Sequence, residues 1–342
     1  MSKFSSFKKQ QKLFEGWRGY VKRRSLLTER VTISPEEAKQ FGALLQQAYD
    51  GGPAAVRAFM NTDIGESPKF RKFIRVTGAK QLDGAPGDDV VSIKKGSVKV
   101  GDMIPTQRFI DLNQSVGFPL GSADTLLKDV VSKKGFGPIT VSGNYIIDGH
   151  HRWSGIFSAG GPDATISVMD LAFKGDAADK LASAQIAVAA VDKRFNDPHP
   201  SKGGAAAANI LGKGADQIYQ ILNKYEGQQL DANAPGAILN KQMLQAIATN
   251  KKYQPILDWA GVEGDDGAIS PEDIADAIKR KVADNLAALP MYVSGAPERP
   301  DMPQMDHAGI GGKKGLDKIM TTIPKGDINL APPFNDPRAQ EK

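Results

Sequence analysis

The chain has 342 residues, of which 40% are hydrophobic, 24% are charged and none is cysteine. These proportions are typical of a globular protein with room for about two domains, and the missing cysteine excludes disulfides, thiolate nucleophiles and cysteine-based zinc sites. The longest apolar run has six residues, 186–191, whereas a membrane-spanning helix needs about 20. We therefore predict no transmembrane segment.

The first 30 residues form a basic segment. Residues 1–30 hold nine Lys or Arg and two Glu, whereas the net charge of the whole chain is only +5. Phe7, Phe14 and Val21 recur every seven residues, which predicts a basic amphipathic helix over residues 2–24. Such a helix can lie on a membrane, bind nucleic acid, dock on a protein scaffold or fold back onto the body of the protein.

Residues 31–89 are predicted to be a helical lead-in followed by a loop. Ser34, Pro35 and Glu37 stand where a capping box begins a helix, with a serine N-cap, proline at the first helical position and glutamate at the third. A Gly- and Asp-rich stretch at 76–90 is typical of a loop.

Residues 90–198 show the alternating signals of an α/β unit. The helix predicted over residues 123–133 has its inner face at Leu126, Leu127, Val130 and Val131. The predicted strands are 90–93, 97–100, 139–141, 145–147 and 165–171, and the predicted helices are 123–133, 150–159 and 176–191.

The C-terminal part of the chain is predicted to contain helices and a tail. Pro and Gly residues at 196–204 indicate a boundary. Residues 205–290 are predicted to be a separate helical subdomain without strands, and residues 291–342 a Pro/Gly-rich tail. The helices expected in this subdomain are 205–211, 215–225, 240–250, 253–260 and 274–289.

One motif carries most of the functional information. An apolar strand runs into Asp148 and Gly149, and a helix then opens with His150, His151 and Arg152. A helix N-terminus has unpaired amides and partial positive charge, so it favours anions. Glycine permits close approach of a phosphate, arginine adds a bidentate cation and the imidazoles can donate or move a proton. Asp148 is a candidate to hold a metal ion, a ribose hydroxyl or a histidine, or to cap the helix.

The motif, preceded by Ile104-Pro105-Thr106-Gln107 and a helix, resembles the ParB/sulfiredoxin superfamily, and within it a ParB-like nuclease branch common in phage and bacterial genomes. The resemblance implies a small mixed sheet with helices, and together with the N-terminal helices and the C-terminal all-helical subdomain predicted above this gives an α+β fold. It also implies that Gly149, His150, His151 and Arg152 bind the phosphate of a nucleoside triphosphate or nucleic acid. We further expect Mg²⁺ as a cofactor, with Asp148 as its candidate ligand.

The superfamily includes CTP-binding ParB clamps, sulfiredoxins, a free-serine kinase and proteins described as DNA nucleases. His150 stands where sulfiredoxins have their catalytic cysteine, which excludes sulfinic-acid reduction. The same residue replaces the acidic residue of the ParB clamp box. Gln107 stands in the neighbourhood where the kinase has an acidic residue, with Asp102 and Asp111 nearby.

The sequence therefore favours a phosphate-, nucleotide- or nucleic-acid-binding ParB-like protein that acts as a metal-assisted nuclease or nucleotide hydrolase. In that mechanism His150 or His151 is the general acid or base, Asp148 positions the metal or a histidine, and Arg152 stabilises phosphoryl charge. Two other classes stay open. One is a non-catalytic nucleotide-gated DNA-binding module, and the other is a packaged phage structural or internal protein.

A short sequence near the N-terminus favours a phage origin. Leu13-Phe14-Glu15 followed by Gly16 resembles the sites cut by the prohead proteases of large tailed phages, in which N-terminal peptides target internal proteins to the capsid. This likeness predicts cleavage after Glu15 and docking of residues 1–24 on a capsid scaffold. The expected location is the host cytoplasm or the interior of the virion.

Overall fold

The computed structural model describes residues 33–74, 91–135, 137–191, 208–229, 238–262 and 269–303, together with Leu330 and Phe334. The predicted N-terminal helix, the Glu15 cleavage site, the break at 196–204 and most of the tail lie outside these residues. The described part is a mixed α+β structure with twelve α-helices and one five-stranded sheet. The predicted α+β class is confirmed at this level.

Within the described residues four helices precede the sheet, and the first of them begins as its sequence predicts. The Ser34 hydroxyl accepts from the Glu37 amide, and the Glu37 carboxylate accepts from the Ser34 amide. This reciprocal capping box satisfies two amides that the helix leaves unpaired. The four helices are α1 (Pro35–Asp50), α2 (Gly52–Met60), α3 (Asp63–Glu66) and α4 (Pro68–Ile74).

The remaining elements alternate between strands and helices and then become entirely helical. The strands are β1 (Ile93–Lys99), β2 (Ile104–Pro105), β3 (Ile139–Ser142), β4 (Tyr145–Asp148) and β5 (Thr165–Leu171). The helices are α5 (Leu112–Val116), α6 (Ala123–Ser132), α7 (His150–Gly160), α8 (Ala177–Val191), α9 (Ala215–Gln229), α10 (Lys241–Thr249), α11 (Gln254–Ala260) and α12 (Pro271–Ala287).

The sheet is mixed, with the strand order β1-β5-β3-β4-β2. Strands β1 and β5 pair antiparallel from Ile93–Leu171 to Lys99–Thr165, and β3 and β4 form the predicted antiparallel hairpin. The β5–β3 and β4–β2 pairs are parallel. The parallel β4–β2 pair places the Pro105 segment beside the strand that leads into the His-His-Arg motif.

Alternating residues of the strands bury the two faces of the sheet against different helices. Ile146 of β4 belongs to the core that includes α5, α6, α7 and helices α9 to α12, whereas Ile147 belongs to the core formed with α1, α2, α4 and α8. This alternation is expected for a strand buried on both sides. Helix α7, which carries the motif, is therefore covered by the C-terminal helices, and the Asn285 amide of α12 donates to the Ser158 carbonyl of α7 at 2.8 Å.

Three predictions on local structure are wrong. The two strands predicted at 90–93 and 97–100 are replaced by one strand, Ile93–Lys99, because β1 is an edge strand whose Lys94 and Lys95 stay exposed without interrupting it. On α6 the buried face includes Asp129 beside Leu126 and Val130, while the predicted inward Val131 is 62% exposed. Residues 208–211 are not helical, because Asn209 bridges to Asp111 instead.

No helix among the described residues has both the length and the apolar character that crossing a membrane requires.

Candidate functional site

The junction of β4 and α7 is built around Gly149. Asp148 ends the strand, Gly149 has φ 101° and ψ 22°, and α7 begins at His150. A Cβ atom at residue 149 would lie 2.6 Å from Cγ2 of buried Ile139. Glycine is thus required both by its left-handed backbone and by the close approach of the neighbouring strand.

The first turn of α7 leaves amides available at its positive end. The amides of Arg152 and Trp153 both donate to the Gly149 carbonyl at 3.0 Å. The N-cap residue is Gly149, which has no side chain that could cap the helix. A helix leaves its first amides without helical partners. Those of His150 and His151 therefore point toward the space in front of the helix, where the helix dipole favours an anion.

The His150 side chain turns inward and accepts a backbone hydrogen bond. Its Nε2 atom accepts from the Thr106 amide at 3.1 Å, and only 3% of the residue is exposed. Burial lowers the pKa of His150 to about 3, with further lowering by His151 and Arg299. The imidazole is therefore neutral, and because Nε2 is the acceptor, the hydrogen is on Nδ1.

His151 accepts a backbone hydrogen bond in the same way, from a residue that follows Thr106 in the chain. Its Nε2 atom accepts from the Asp111 amide at 3.2 Å. Burial, and to a lesser extent Arg299, lowers its pKa to about 3. The two imidazoles together attach the start of α7 to residues 106–111.

Arg152 supplies positive charge at the first turn of α7, where its side chain is partly exposed. A Cβ atom placed on Gly149 would lie 3.4 Å from the Arg152 Nε atom, and one placed on Gly137 would lie 3.9 Å from its Nη1 atom. The guanidinium group therefore extends beside the backbones of Gly149 and Gly137.

A second arginine, absent from the sequence prediction, reaches the same junction. Arg299, in a short 3₁₀ helix, donates from Nη1 to Oε1 of Gln114 at 2.8 Å. Burial lowers its pKa, while the carboxylates of Asp111 and Asp148 oppose that shift. Arg299 is thus near enough to act electrostatically on Asp148 and on both histidines.

Residues 291–303, here called the strap, carry Arg299 to the site. The Val293 amide donates to the Pro105 carbonyl at 3.1 Å, and the Arg108 amide donates to the Pro297 carbonyl at 3.2 Å. An ion pair between Arg108 and Glu298 at 2.6 Å adds a side-chain contact. The strap is held along the segment between β2 and α5, the same segment that the histidines contact.

The carboxylates near the junction already have other interactions. The Asp111 carboxylate caps α5 by accepting from the Asn113 amide at 3.1 Å, and burial raises its pKa. Asp148 lies near the Arg299 cation. Among the residues that the structure describes, no group of three or more His, Cys, Asp or Glu side chains is placed to hold a metal ion. These donors do not fit a metal held by the protein alone.

The structure brings all five residues of the predicted motif, from Asp148 to Arg152, to one junction. Sequence reasoning missed Arg299, because nothing in its Pro-rich surroundings distinguishes it from a surface arginine. It also gave no sign that the histidines would accept backbone hydrogen bonds, since that depends on residues far away in the chain.

Comparisons with protein-family models, with curated proteins and with solved structures found no match to this chain. The functional assignment therefore depends on the geometry of the junction.

Proposed function

We propose that the protein binds the phosphate group of a nucleotide or nucleic acid in front of the N-terminus of α7. The observation that carries this proposal is that two arginines from distant segments act at a helix N-terminus with an obligatory glycine. Arg152 lies beside Gly149, and Arg299 acts electrostatically on Asp148 and on both histidines. Helix amides and guanidinium groups are the donors that proteins use for phosphate.

The role of each residue in binding follows from its protonation state. Both histidines are neutral and use Nε2 to accept backbone hydrogen bonds, so they contribute position and their backbone amides. The charge comes from the arginines. We therefore propose that Gly149, His150, His151 and Arg152 form the cradle, with Arg299 as a further cation.

The same contacts favour binding over turnover. A general acid or base works best with a pKa near the operating pH, whereas burial holds the pKa of both imidazoles at about 3. Each Nε2 lone pair is also engaged with a backbone amide. Of the functions open to this motif, a non-catalytic phosphate-binding module agrees best with these two facts.

A nucleoside triphosphate with Mg²⁺ is the proposed ligand form. Mg²⁺ commonly takes one or two protein carboxylates and completes its shell with phosphate oxygens and water. Asp148, at the end of β4, is the carboxylate that would contribute to such an ion. The metal would therefore arrive with the triphosphate.

The ParB/sulfiredoxin-like identity of residues 90–198 is part of the same proposal. It is supported by the mixed sheet, by the parallel β2–β4 pair and by the helix that follows β4 directly. A phage origin, with residues 1–24 docked on a capsid scaffold, is proposed only on the sequence of the N-terminal segment.

The experiment is isothermal titration calorimetry of the full chain with inorganic pyrophosphate, with ATP, CTP and GTP in the presence of Mg²⁺, and with a single-stranded DNA oligonucleotide. One charge-assisted hydrogen bond is worth about 1.5–3 kcal/mol, so Arg152→Ala is expected to weaken binding about 10- to 100-fold. Whichever probe binds tightest identifies the class of ligand.

Arg280→Ala is the matched control. Arg280 has the same charge but pairs with Asp276 and lies over the Tyr219 ring on the C-terminal helices, so its loss is expected to leave the affinity within about twofold. Equal affinities of wild type and Arg152→Ala would remove Arg152 from the site. If the wild type releases phosphate or cleaves DNA, and His150→Gln or His151→Gln abolishes that activity, the protein is a hydrolase and the non-catalytic proposal is wrong.

A further inference from the structure

A cavity of about 260 Å³ lies between α5, α6 and the first turns of α7. Phe118, Pro119 and Ile156 form its apolar walls, and His151 and Arg152 line it on the side of the phosphate cradle. Two of the residues that line the cavity thus belong to the proposed phosphate cradle. Its volume is near the lower limit of about 300–1,000 Å³ for small-molecule sites, so it suits one flat ring system.

Asp129 of α6 also lines this cavity. Only 2% of the residue is exposed, and its Oδ1 atom has no hydrogen-bond partner among the residues that the structure describes. Burial raises its pKa to about 6, with Lys128 opposing the shift. Buried carboxylates in proteins are normally paired with donors, because an unpaired one is destabilising.

The arrangement of charges specifies what would complete the site. A ligand must present a hydrogen-bond donor to Asp129, an apolar flat body to Phe118 and Pro119, and an acceptor or anion to Arg152. A nucleobase with an exocyclic amino group, joined to a phosphate, has these three parts in this order.

We propose that the cavity is a base-binding subsite in which the Asp129 carboxylate accepts a hydrogen bond from the exocyclic amine of adenine, cytosine or guanine. This inference rests on the proposed phosphate site and makes that site selective for amine-bearing bases. Uracil is disfavoured, because its one N–H donor on that edge is flanked by two carbonyl oxygens that repel a carboxylate.

The test is a calorimetric titration of the full chain with AMP, CMP, GMP and UMP, and separately with inorganic pyrophosphate. At least one amine-bearing monophosphate is expected to bind about tenfold or more tightly than UMP, as expected for a hydrogen bond to a charged acceptor. Asp129→Asn keeps the volume of the side chain and removes its charge. This variant is expected to lose that preference and to keep the pyrophosphate affinity of the wild type within about twofold.

Two readouts keep this inference separable from the phosphate site. If pyrophosphate binds, but all four monophosphates bind equally and Asp129→Asn changes none of them, the base subsite is overturned and the cradle stands. If pyrophosphate does not bind, the same comparison uses adenosine, cytidine, guanosine and uridine. Nucleoside binding that depends on Asp129 then supports the cavity without the cradle, and its absence overturns both.

A loss of structure in the variant is detected by its thermal unfolding. Asp129→Asn removes a buried charge without changing the packing, so its melting temperature is expected to equal or exceed that of the wild type at pH 7.5. A variant that melts earlier and binds no probe would mean that Asp129 is a structural residue, and the base subsite would be rejected.

Discussion

Gly149 sets the geometry of the site at the level of a single residue. Its φ of 101° is strained for any other amino acid, and a Cβ atom there would overlap Ile139. Both effects act on the turn from which the helix amides project. A glycine at residue 149 is therefore needed for stability. The sequence motif predicts this need only in part, since the overlap with Ile139 is visible only in three dimensions.

The first prediction compares this glycine with one that lacks the close neighbour. Gly143 also has positive φ, at 62°, but a Cβ atom there would meet nothing within 4 Å. Gly143→Ala is expected to lower the free energy of unfolding by about 1 kcal/mol from backbone strain. Gly149→Ala adds the steric overlap and is expected to lower it by about 2–4 kcal/mol. Urea unfolding measures both, and equal losses would contradict the close packing of Gly149 on Ile139.

The lowered pKa values of the two histidines predict how stability depends on pH. Both pKa values are about 3 in the folded protein against 6.5 for an ordinary histidine, so the unfolded chain binds more protons as the pH falls below 6.5. The stability they contribute is present above pH 6.5 and is lost as the pH falls toward 3. Between pH 7.5 and 6.0 the loss is about 1 kcal/mol per histidine.

Urea unfolding at pH 7.5 and 6.0 checks this dependence. His150→Gln and His151→Gln keep a side-chain acceptor but cannot titrate, so each is expected to flatten the pH dependence by about 1 kcal/mol. Asp129 acts in the opposite sense and by less, because its pKa of about 6 makes the folded state gain a proton in this window. An unchanged pH dependence in both variants would show that the imidazoles are not buried and neutral.

Among the elements, the strap matters most for the site, because it brings Arg299 to the start of α7. Arg299 offsets the charges of Asp111 and Asp148. Without it, the junction would lose the cation that opposes these two carboxylates. The strap thus gives the junction a positive character that the motif by itself does not have.

We expect Arg299→Ala to weaken pyrophosphate binding by at least tenfold, since a charge-assisted contact is lost and Asp148 becomes repulsive. Adding Asp148→Asn to this variant is expected to restore part of the affinity. Arg108→Ala, which breaks only the exposed ion pair of the strap with Glu298, is the control and is expected to change the affinity little. Calorimetry reports all four proteins, and wild-type affinity in Arg299→Ala would exclude the strap from the site.

The elements that the sequence predicts well are those with local signals. The β3–β4 hairpin, β5 and the start of α7 are where alternation, a Gly143-Asn144 turn and Asp148-Gly149 place them. The buried face of α6 was predicted less well, because the hydrophobic pattern assigns the carboxylate of Asp129 to the solvent-exposed face of the helix. Arg299 could not be predicted, because its neighbours in space are distant in sequence.

At the scale of the whole molecule, the sheet lies between two cores that draw on most of the described chain. Helices α9 to α12 share one core with α5, α6 and α7, so the residues around the site are supported by the C-terminal helices. The strap then passes from α12 back to the Pro105 segment. Binding experiments therefore require the full chain, since each of these parts contributes to the position of the cradle.

The phosphate site is tested most directly by an NMR titration that follows the backbone amide and arginine Nε–H signals of the assigned full chain with inorganic pyrophosphate, at constant ionic strength. We predict that the largest shifts occur at the amides of Gly149, His150 and His151 and at the Arg152 side chain, and that potassium chloride at matched ionic strength does not produce them. Pyrophosphate that leaves these signals unchanged, or that shifts a different region of the protein, would contradict a phosphate site at the N-terminus of α7.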